Sequence, residues 1–247
     1  MKHMTIRICH LYPDALNLYG DRGNVLCMQK RLLWRGIRCE VDSLKIGETK
    51  SLSGYDIFFM GGGQDFEQEV LLRDLGSQNG QSIRTAIEDG KTFLCICGGY
   101  QILGTHYETK EGRRCGFLGA IDLYTTGGDK RLIGNYAYRL EEPSGTETVV
   151  GFENHSGRTY LGKGVKPLGH VLKGFGNNGK DGTEGVRYKN VFGTYSHGPV
   201  LPKNPVLCDR ILSTAIHHKY GEEELLPLED AFETAAHAKM LHRICKS

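Results

Sequence analysis

The chain has 247 residues, 39% of them hydrophobic and 24% charged, with a formal net charge of +2. This length and apolar content suit one large globular domain with a full core, and the near-neutral charge excludes the broad positive field of a nucleic-acid or membrane-surface binder. Residues 1–7 carry no apolar signal-peptide core, and no stretch approaches the roughly 20 apolar residues of a membrane span, so a cytoplasmic protein is expected.

In chain order, Thr5–Leu11 reads as a buried strand. Residues 24–35 read as a helix with Asn24 as N-cap and Gly36 as its stop, and residues 37–44 as a second strand. The apolar run 56–60 ends at Gly61-Gly62-Gly63-Gln64-Asp65, as a central strand entering a loop does. Helical patterns follow at about 66–74 and 82–89, then the apolar strand Thr92–Ile96. Strands alternating with helices predict an α/β fold, a mostly parallel central sheet flanked by helices. Between Gly116 and Tyr195 glycines and aromatics become dense, and extra strands are expected to continue the same sheet. Residues 174–185, rich in Gly and Asn, read as an exposed loop, and helices are expected at about 204–220 and 228–244. A single domain over 1–247, with a helical C-terminal extension over about 221–247, is the simplest organisation.

The eight cysteines, at 9, 27, 39, 95, 97, 115, 208 and 245, are scattered. No paired CxxC spacing suggests a metal site, and reduced thiols are expected. Leu94-Cys95-Ile96-Cys97-Gly98-Gly99-Tyr100-Gln101 has the layout of a nucleophile elbow. An apolar strand runs into a cysteine, two glycines and a helical pattern, so that the side chain projects above the sheet and helix N-terminal amides point at it. The rival reading is a structural cysteine pair beside a glycine-rich loop. A cysteine nucleophile needs an imidazole base, and His197, in Gly193-Thr194-Tyr195-Ser196-His197-Gly198-Pro199, follows an apolar run in a turn closed by Gly and Pro. The Gly61-Gly62-Gly63 loop lies where a second oxyanion donor is wanted; no Lys-Ser/Thr pair makes it a phosphate loop. Two polar clusters remain, Lys130-Arg131 and Phe152-Glu153-Asn154-His155, in which an arginine could hold a substrate carboxylate.

Together these stretches resemble class I glutamine amidotransferases of the cobyric-acid-synthase-type branch. The motifs Leu16-Asn17-Leu18-Tyr19-Gly20-Asp21-Arg22-Gly23-Asn24, Gly151-Phe152-Glu153-Asn154-His155-Ser156-Gly157-Arg158-Thr159 and the His197 segment are similar to those of the glutaminase subunits of lipid II isoglutaminyl synthase. The resemblance runs from about Thr5 to Ile216 and implies the flavodoxin-like, hydrolase-like fold of that class. It implies that Cys97 attacks the carboxamide of L-glutamine, that His197 shuttles protons, and that the amides of Gly62 and Gly98 form the oxyanion site. It further implies that Gln101 and Arg131 hold glutamine. No cofactor is implied in this chain. ATP and Mg belong to a Mur-ligase-like (MurT-like) partner subunit, which would use the ammonia to amidate the α-carboxyl of D-glutamate in the stem peptide of lipid II.

Many class I members carry a glutamate two residues after the histidine, where this chain has Pro199. The group orienting His197 is therefore expected either within the chain, from Asp21 or Glu153, or from a carboxylate of the partner. Delivery by the partner is preferred here and predicts weak glutaminase activity for the isolated chain. The alternatives are a cobyrinate-type amidotransferase, which would need an ATP-using synthetase absent from this sequence, a catalytically silent docking subunit, and a redox module on Cys95 and Cys97.

Overall fold

A computed structural model of the chain describes residues 4–63, 69–141 and 147–246. The first half winds a parallel sheet: β1 (Thr5–Leu11), α1 (Arg22–Trp34), β2 (Arg38–Leu44), β3 (Ile57–Met60), α2 (Glu69–Leu75), α3 (Gln78–Glu88), β4 (Thr92–Ile96) and α4 (Gly98–Ile102). The second half contributes β5 (His106–Glu108), β6 (Arg114–Gly116), β7 (Leu123–Leu140), β8 (Thr148–Leu161), β9 (Gly169–Lys173), β10 (Thr183–Glu184), β11 (Val186–Tyr188) and β12 (Val191–Thr194). Two helices close the chain, α5 (Pro205–Tyr220) and α6 (Ala231–Lys246). Short 3-10 turns span Leu18–Gly20 and Leu201–Lys203.

The first sheet has six strands in the order β11-β12-β4-β3-β1-β2. All its pairs are parallel except β11 with β12. Ile-Phe-Phe-Met of β3 and Thr-Phe-Leu-Cys-Ile of β4 are buried at every position, which is why both strands read as unbroken apolar runs rather than as alternations. Phe58 and Phe93 stack across this pair with ring centroids 4.6 Å apart. The carboxyl ends of β1, β3, β4 and β12 open towards one edge, where the loops after them converge.

The strands of the second half depart from the sequence expectation. They do not extend the first sheet; only β11 and β12 join it, and the others form a second sheet of order β10-β9-β7-β5-β6 with β8 paired to β7. The long antiparallel pair β7 and β8, 18 and 14 residues, satisfies its own backbone ladder and needs no seat in the parallel sheet. Its register shifts between Gly127 and Leu132, opposite His155–Gly157, a bulge toward the end of the pair away from the β7–β8 connection. Burial in β8 alternates through Phe152–His155, the signature of strands with two unlike faces.

Two local expectations also change. Asp21, not Asn24, is the N-cap of α1, and Asn24 lies one turn inside, where its Oδ1 accepts from the Leu201 N–H at 2.9 Å. The Gly/Asn-rich stretch 174–185 is not simply an exposed loop. Asn177 and Asn178 are buried, and Asn177 binds Gly185 through both main-chain groups and receives the Tyr100 hydroxyl. Asparagine side chains mimic backbone here, so polar composition does not mean exposure. Gln64, Asp65 and the first residues of the helix expected from 66 lie outside the described residues. At the other end, Arg31 is 3% exposed and binds both Asp209 of α5 and Asp230, which fixes the approach to α6. Ile244 of α6 packs on Ala137 and Val150 of the second sheet. Among the described residues no helix is long and apolar enough to cross a membrane.

Candidate active site

The turn after β4 places Cys97. Its backbone has φ 47° and ψ −106°, a conformation that costs a non-glycine residue of order 1–3 kcal/mol and persists only where the surroundings impose it. They do so here: the Cys97 N–H donates to Thr194 O at 2.8 Å, and the Cys97 carbonyl accepts from Gln101 N at 2.9 Å as α4 begins. Gly99 has no alternative, because a Cβ would stand 2.7 Å from Met60 O. Cys97 is 7% exposed and lines a cavity, whereas Cys95 sits inside β4 with no exposure and a thiol pushed up by burial. The two cysteines thus occupy different environments two residues apart.

β12 lies beside β4, so the loop after Thr194 arrives at the same edge. There the His197 N–H donates to Phe152 O at 2.8 Å, which pins the loop to β8. His197 Nδ1 lies 3.2 Å from Asp21 Oδ2, and both side chains have no solvent exposure. The carboxylate beside His197 therefore comes from within the chain. Delivery by a partner was the preferred expectation; in this chain Asp21 already stands in that place, and the reason is tertiary: the loop after β1 folds back across the end of β3 to bring Asp21, 176 residues away in sequence, against the imidazole. Glu153 is not the orienting group. Successive strand residues face opposite ways; Asn154 turns to Tyr19, while Glu153 accepts from Phe175 N at 2.8 Å and Gly176 N at 3.0 Å and supports that loop.

Burial would push the His197 imidazole down, but its hydrogen bond to Asp21 and the neighbouring Cys97 outweigh that and raise it to about 10. Its Nε2 is buried and has no other hydrogen-bond partner. With Nδ1 held by Asp21, Nε2 is the nitrogen left for proton exchange at the thiol. The raised value favours the charged form of the imidazole, and that charge stands beside Cys97.

The oxyanion expectation needs one change. The Gly62 N–H donates to Asp21 Oδ2 at 2.8 Å, so it serves the orienting carboxylate rather than the cavity. Glycine is obligatory at 62 because a Cβ would stand 2.4 Å from His197 Cε1. Gly63 is the member of that loop lining the cavity, and its nitrogen lies 3.0 Å from where a Cβ on Gly98 would be. The main chains of Gly63 and Gly98 therefore flank Cys97 together.

The hairpin of the second sheet forms the opposite wall. Arg131 and Asn154, drawn from two clusters that are separate in sequence, meet there, with Arg131 Nε donating to Asn154 Oδ1 at 2.8 Å. Asn154 Nδ2 donates to the Tyr19 hydroxyl at 2.6 Å. Tyr19 itself has φ 55° and stands edge-on to His197, ring centroids 4.8 Å apart. Gln101 is 5% exposed, lines the cavity and donates from Nε2 to the Tyr195 hydroxyl at 2.9 Å; that hydroxyl is 2.6 Å from Thr159 Oγ1. His155 stacks on Tyr195 at 3.6 Å. Sequence reasoning singled out none of Tyr19, Tyr195 and His155 as site residues, although each lies within a motif it quoted. The available signal was an aromatic or imidazole at fixed spacing inside those motifs. The cavity over Cys97 is small, about 30 Å³, and open to one side. The Tyr19–Asn154–Arg131 bridge borders it on the hairpin side.

Comparison with known proteins agrees with this chemistry. The family model described as "CobB/CobQ-like glutamine amidotransferase domain" matches residues 7–205. The chain is 42% identical over 223 residues to the Streptococcus pneumoniae GatD subunit of lipid II isoglutaminyl synthase (glutamine-hydrolyzing), covering 90% of this chain and 85% of that one. It is 41% identical over 238 residues to its Staphylococcus aureus counterpart, covering 96% of each. A probable cobyric acid synthase of Methanothermobacter thermautotrophicus is 37% identical over 157 residues, only 29% of that protein. Among solved structures, PurLQS from Thermotoga maritima superposes with a TM-score of 0.56 at 19% identity, covering 96% of this chain and 100% of that one. The glutaminase domain of Trypanosoma brucei CTPS with bound acivicin also gives 0.56, at 13% identity over 90% of this chain and 96% of that one. These two likenesses establish the fold. With the family model covering most of its length and two full-length relatives above 40% identity, the chain belongs to the CobB/CobQ-like glutamine amidotransferases and, within them, to the GatD family of glutamine-hydrolysing subunits.

Proposed function

We propose that the chain is the glutaminase subunit of a lipid II isoglutaminyl synthase, with Cys97, His197 and Asp21 as its catalytic group. The observation that carries the residue roles is the buried Asp21–His197 pair beside a cysteine held at a strained elbow. The Cys97 thiolate attacks the carboxamide carbon of L-glutamine. The amides of Gly98 and Gly63 receive the developing oxyanion. His197 gives its proton to the departing nitrogen, ammonia leaves, and a glutamyl thioester remains. His197, now neutral, takes a proton from water as it attacks the thioester, and glutamate is released with the thiolate restored. Asp21 holds one tautomer of the imidazole and stabilises its charged form. Arg131, whose Nε is already held by Asn154, offers its terminal nitrogens to the α-carboxylate, and Gln101 shapes the floor.

The ammonia goes to a Mur-ligase-like, MurT-like partner in the cytoplasm. That partner would hold ATP and Mg, and would activate the α-carboxyl of D-glutamate in lipid II for conversion to D-isoglutamine. This chain needs no cofactor for its half of the reaction. The test is co-purification with a Mur-ligase-like protein, followed by glutamine- and ATP-dependent amidation of lipid II. Amidation that proceeds with free ammonia but not with glutamine when Cys97→Ala is used fits the proposal. Amidation from glutamine with that variant would refute it.

A further inference from the structure

The Gly/Asn-rich stretch 174–185 is held at both ends. Glu153 accepts from the N–H groups of Phe175 and Gly176, and Asn177 binds both main-chain groups of Gly185. Gly185 has φ 63° and lies so close to β12 that a Cβ would stand 2.1 Å from Gly193 O. The residue before it, Glu184 of β10, is thereby set against the loop that carries His197. Glu184 belongs to the second sheet and that loop leaves the first, so the contact joins the two at the site.

Glu184 has no solvent exposure, and one of its oxygens, Oε1, takes three donors. Thr194 Oγ1 donates at 2.7 Å, the Tyr195 N–H at 2.8 Å and the Tyr136 hydroxyl at 3.0 Å. The network runs on to the next residue. Thr194 Oγ1 accepts from the Ser196 N–H at 3.0 Å, and the Ser196 and Tyr136 hydroxyls lie 2.8 Å apart. Gly151 leaves room for that serine, since a Cβ there would stand 2.5 Å from Ser196 Oγ. Every residue from Thr194 to Ser196 is thus tied to Glu184, directly or through one intervening hydroxyl, and His197 follows next. A buried polar network of this kind rigidifies the segment it ties. Burial pushes the Glu184 carboxyl up, its donors pull it back, and it comes to about 7. Oε2 has no hydrogen-bond partner among the described residues, so a proton there leaves the three contacts on Oε1 in place.

We propose that Glu184 is a positioning residue for glutamine hydrolysis: by fixing Thr194–Ser196 it sets the His197 imidazole at its 3.2 Å contact with Asp21 and beside Cys97. It touches neither the substrate nor the reacting atoms, and the assignment rests on the reading of His197 as the base. On the recognition side, Arg131 and Asn154 hold each other at 2.8 Å and share no printed hydrogen bond with this network among the described residues. Loss of Glu184 therefore acts on kcat far more than on KM. A displacement of about 1 Å at a reacting group can cost about a hundredfold in rate, even when the change that causes it lies away from the chemistry.

The experiment compares Glu184→Gln and Glu184→Leu in the full chain, by glutamate release and by nitrogen NMR of histidine-labelled protein. The Gln side chain keeps an oxygen where Oε1 stands, and Leu fills the space with none. Glu184→Leu should lower kcat by about tenfold to a hundredfold, with the KM for glutamine changed by less than about threefold, and Glu184→Gln should keep kcat within about threefold of wild type. The His197 ring signals should titrate at lower pH in Glu184→Leu, as the contact with Asp21 loosens, and stay near their wild-type course in Glu184→Gln. Both substitutions remove the same charge, so a change shared equally by the two would be an effect of charge and would overturn the assignment. An unchanged kcat in Glu184→Leu, or a KM that rises as far as kcat falls, would overturn it too. Tyr136→Phe leaves Glu184 in place, severs its tie to Ser196 and should lower kcat a few-fold with KM unchanged. That variant decides the matter if Glu184→Leu does not fold, and a wild-type kcat in it would then sink the proposal. The NMR arm reads the placement of His197 without glutamine. A wild-type chain that hydrolyses no glutamine would defeat the functional reading while the positioning is still tested.

Discussion

The two sheets divide the labour of the site. The parallel sheet supplies the groups that would make and break bonds: Cys97, His197 and Asp21 stand on loops after β4, β12 and β1, and are 7%, 0% and 0% exposed. The antiparallel hairpin supplies the groups that would recognise the substrate, and there Arg131 is exposed and Asn154 only half-buried. Buried groups keep their geometry and their shifted proton affinities, whereas exposed ones can open to admit a substrate and close behind it. The contrast predicts that changes on the first sheet lower kcat and changes on the second raise KM.

The largest expected effect is at the elbow. Cys97→Ala should remove glutamine hydrolysis by about four decades or more, while Cys95→Ala should largely spare it, as read by glutamate release. Comparable losses in both would erase the distinction between the two cysteines. Mass mapping of a glutamine-like label should find the adduct on Cys97.

Asp21→Asn comes next, with kcat lower by about two to four decades. It also carries a pH signature. The folded His197 is raised above its ordinary value to about 10, with burial opposing and Asp21 and Cys97 favouring its charged form. Stability from this group is fully present below about pH 6.5, and is lost as pH rises through about 10. Removing the carboxylate lowers the folded value, so the basic limb of the kcat/KM profile should move to lower pH. The isolated chain and the complex should respond alike. Full activity of Asp21→Asn in the complex alone would restore the case for a carboxylate delivered by the partner.

On the second sheet, Arg131→Ala should raise the KM for glutamine by roughly one to two decades with kcat little changed, the loss of a charge-assisted bidentate contact. An unchanged KM with a lower Tm would make Arg131 structural. Tyr19→Phe is the mildest test. It removes one neutral hydrogen bond to Asn154 and should change KM by a few-fold. A large fall in kcat from this change would move Tyr19 from the recognition side of the comparison to the chemical one.

Much of the first sheet was legible in residue order alone. Thr5–Leu11 and Thr92–Ile96 are apolar runs bounded by turn residues, and the strand–Cys–Gly–Gly–helix pattern at Cys97 is local, so neighbouring residues suffice to specify it. His197 was legible for the same reason, as a histidine placed just after a buried strand. The choice between Asp21 and Glu153 was not, because it depends on which way each side chain faces after 176 and 44 residues of intervening chain have folded. Strand alternation turns Glu153 to Phe175, while the return of the β1 loop brings Asp21 to His197. The same contact takes the Gly62 amide out of the oxyanion site, which no pattern of glycines reveals. The separation of the two sheets was hidden too, since short apolar stretches do not say which ladder they join. The sequence by itself determined the elements of the first sheet and the candidate nucleophile and base, which rest on local periodicity and turn chemistry. Only the tertiary structure placed Asp21 beside His197 and joined Tyr19, Asn154 and Arg131, because both depend on distances between residues far apart in the chain.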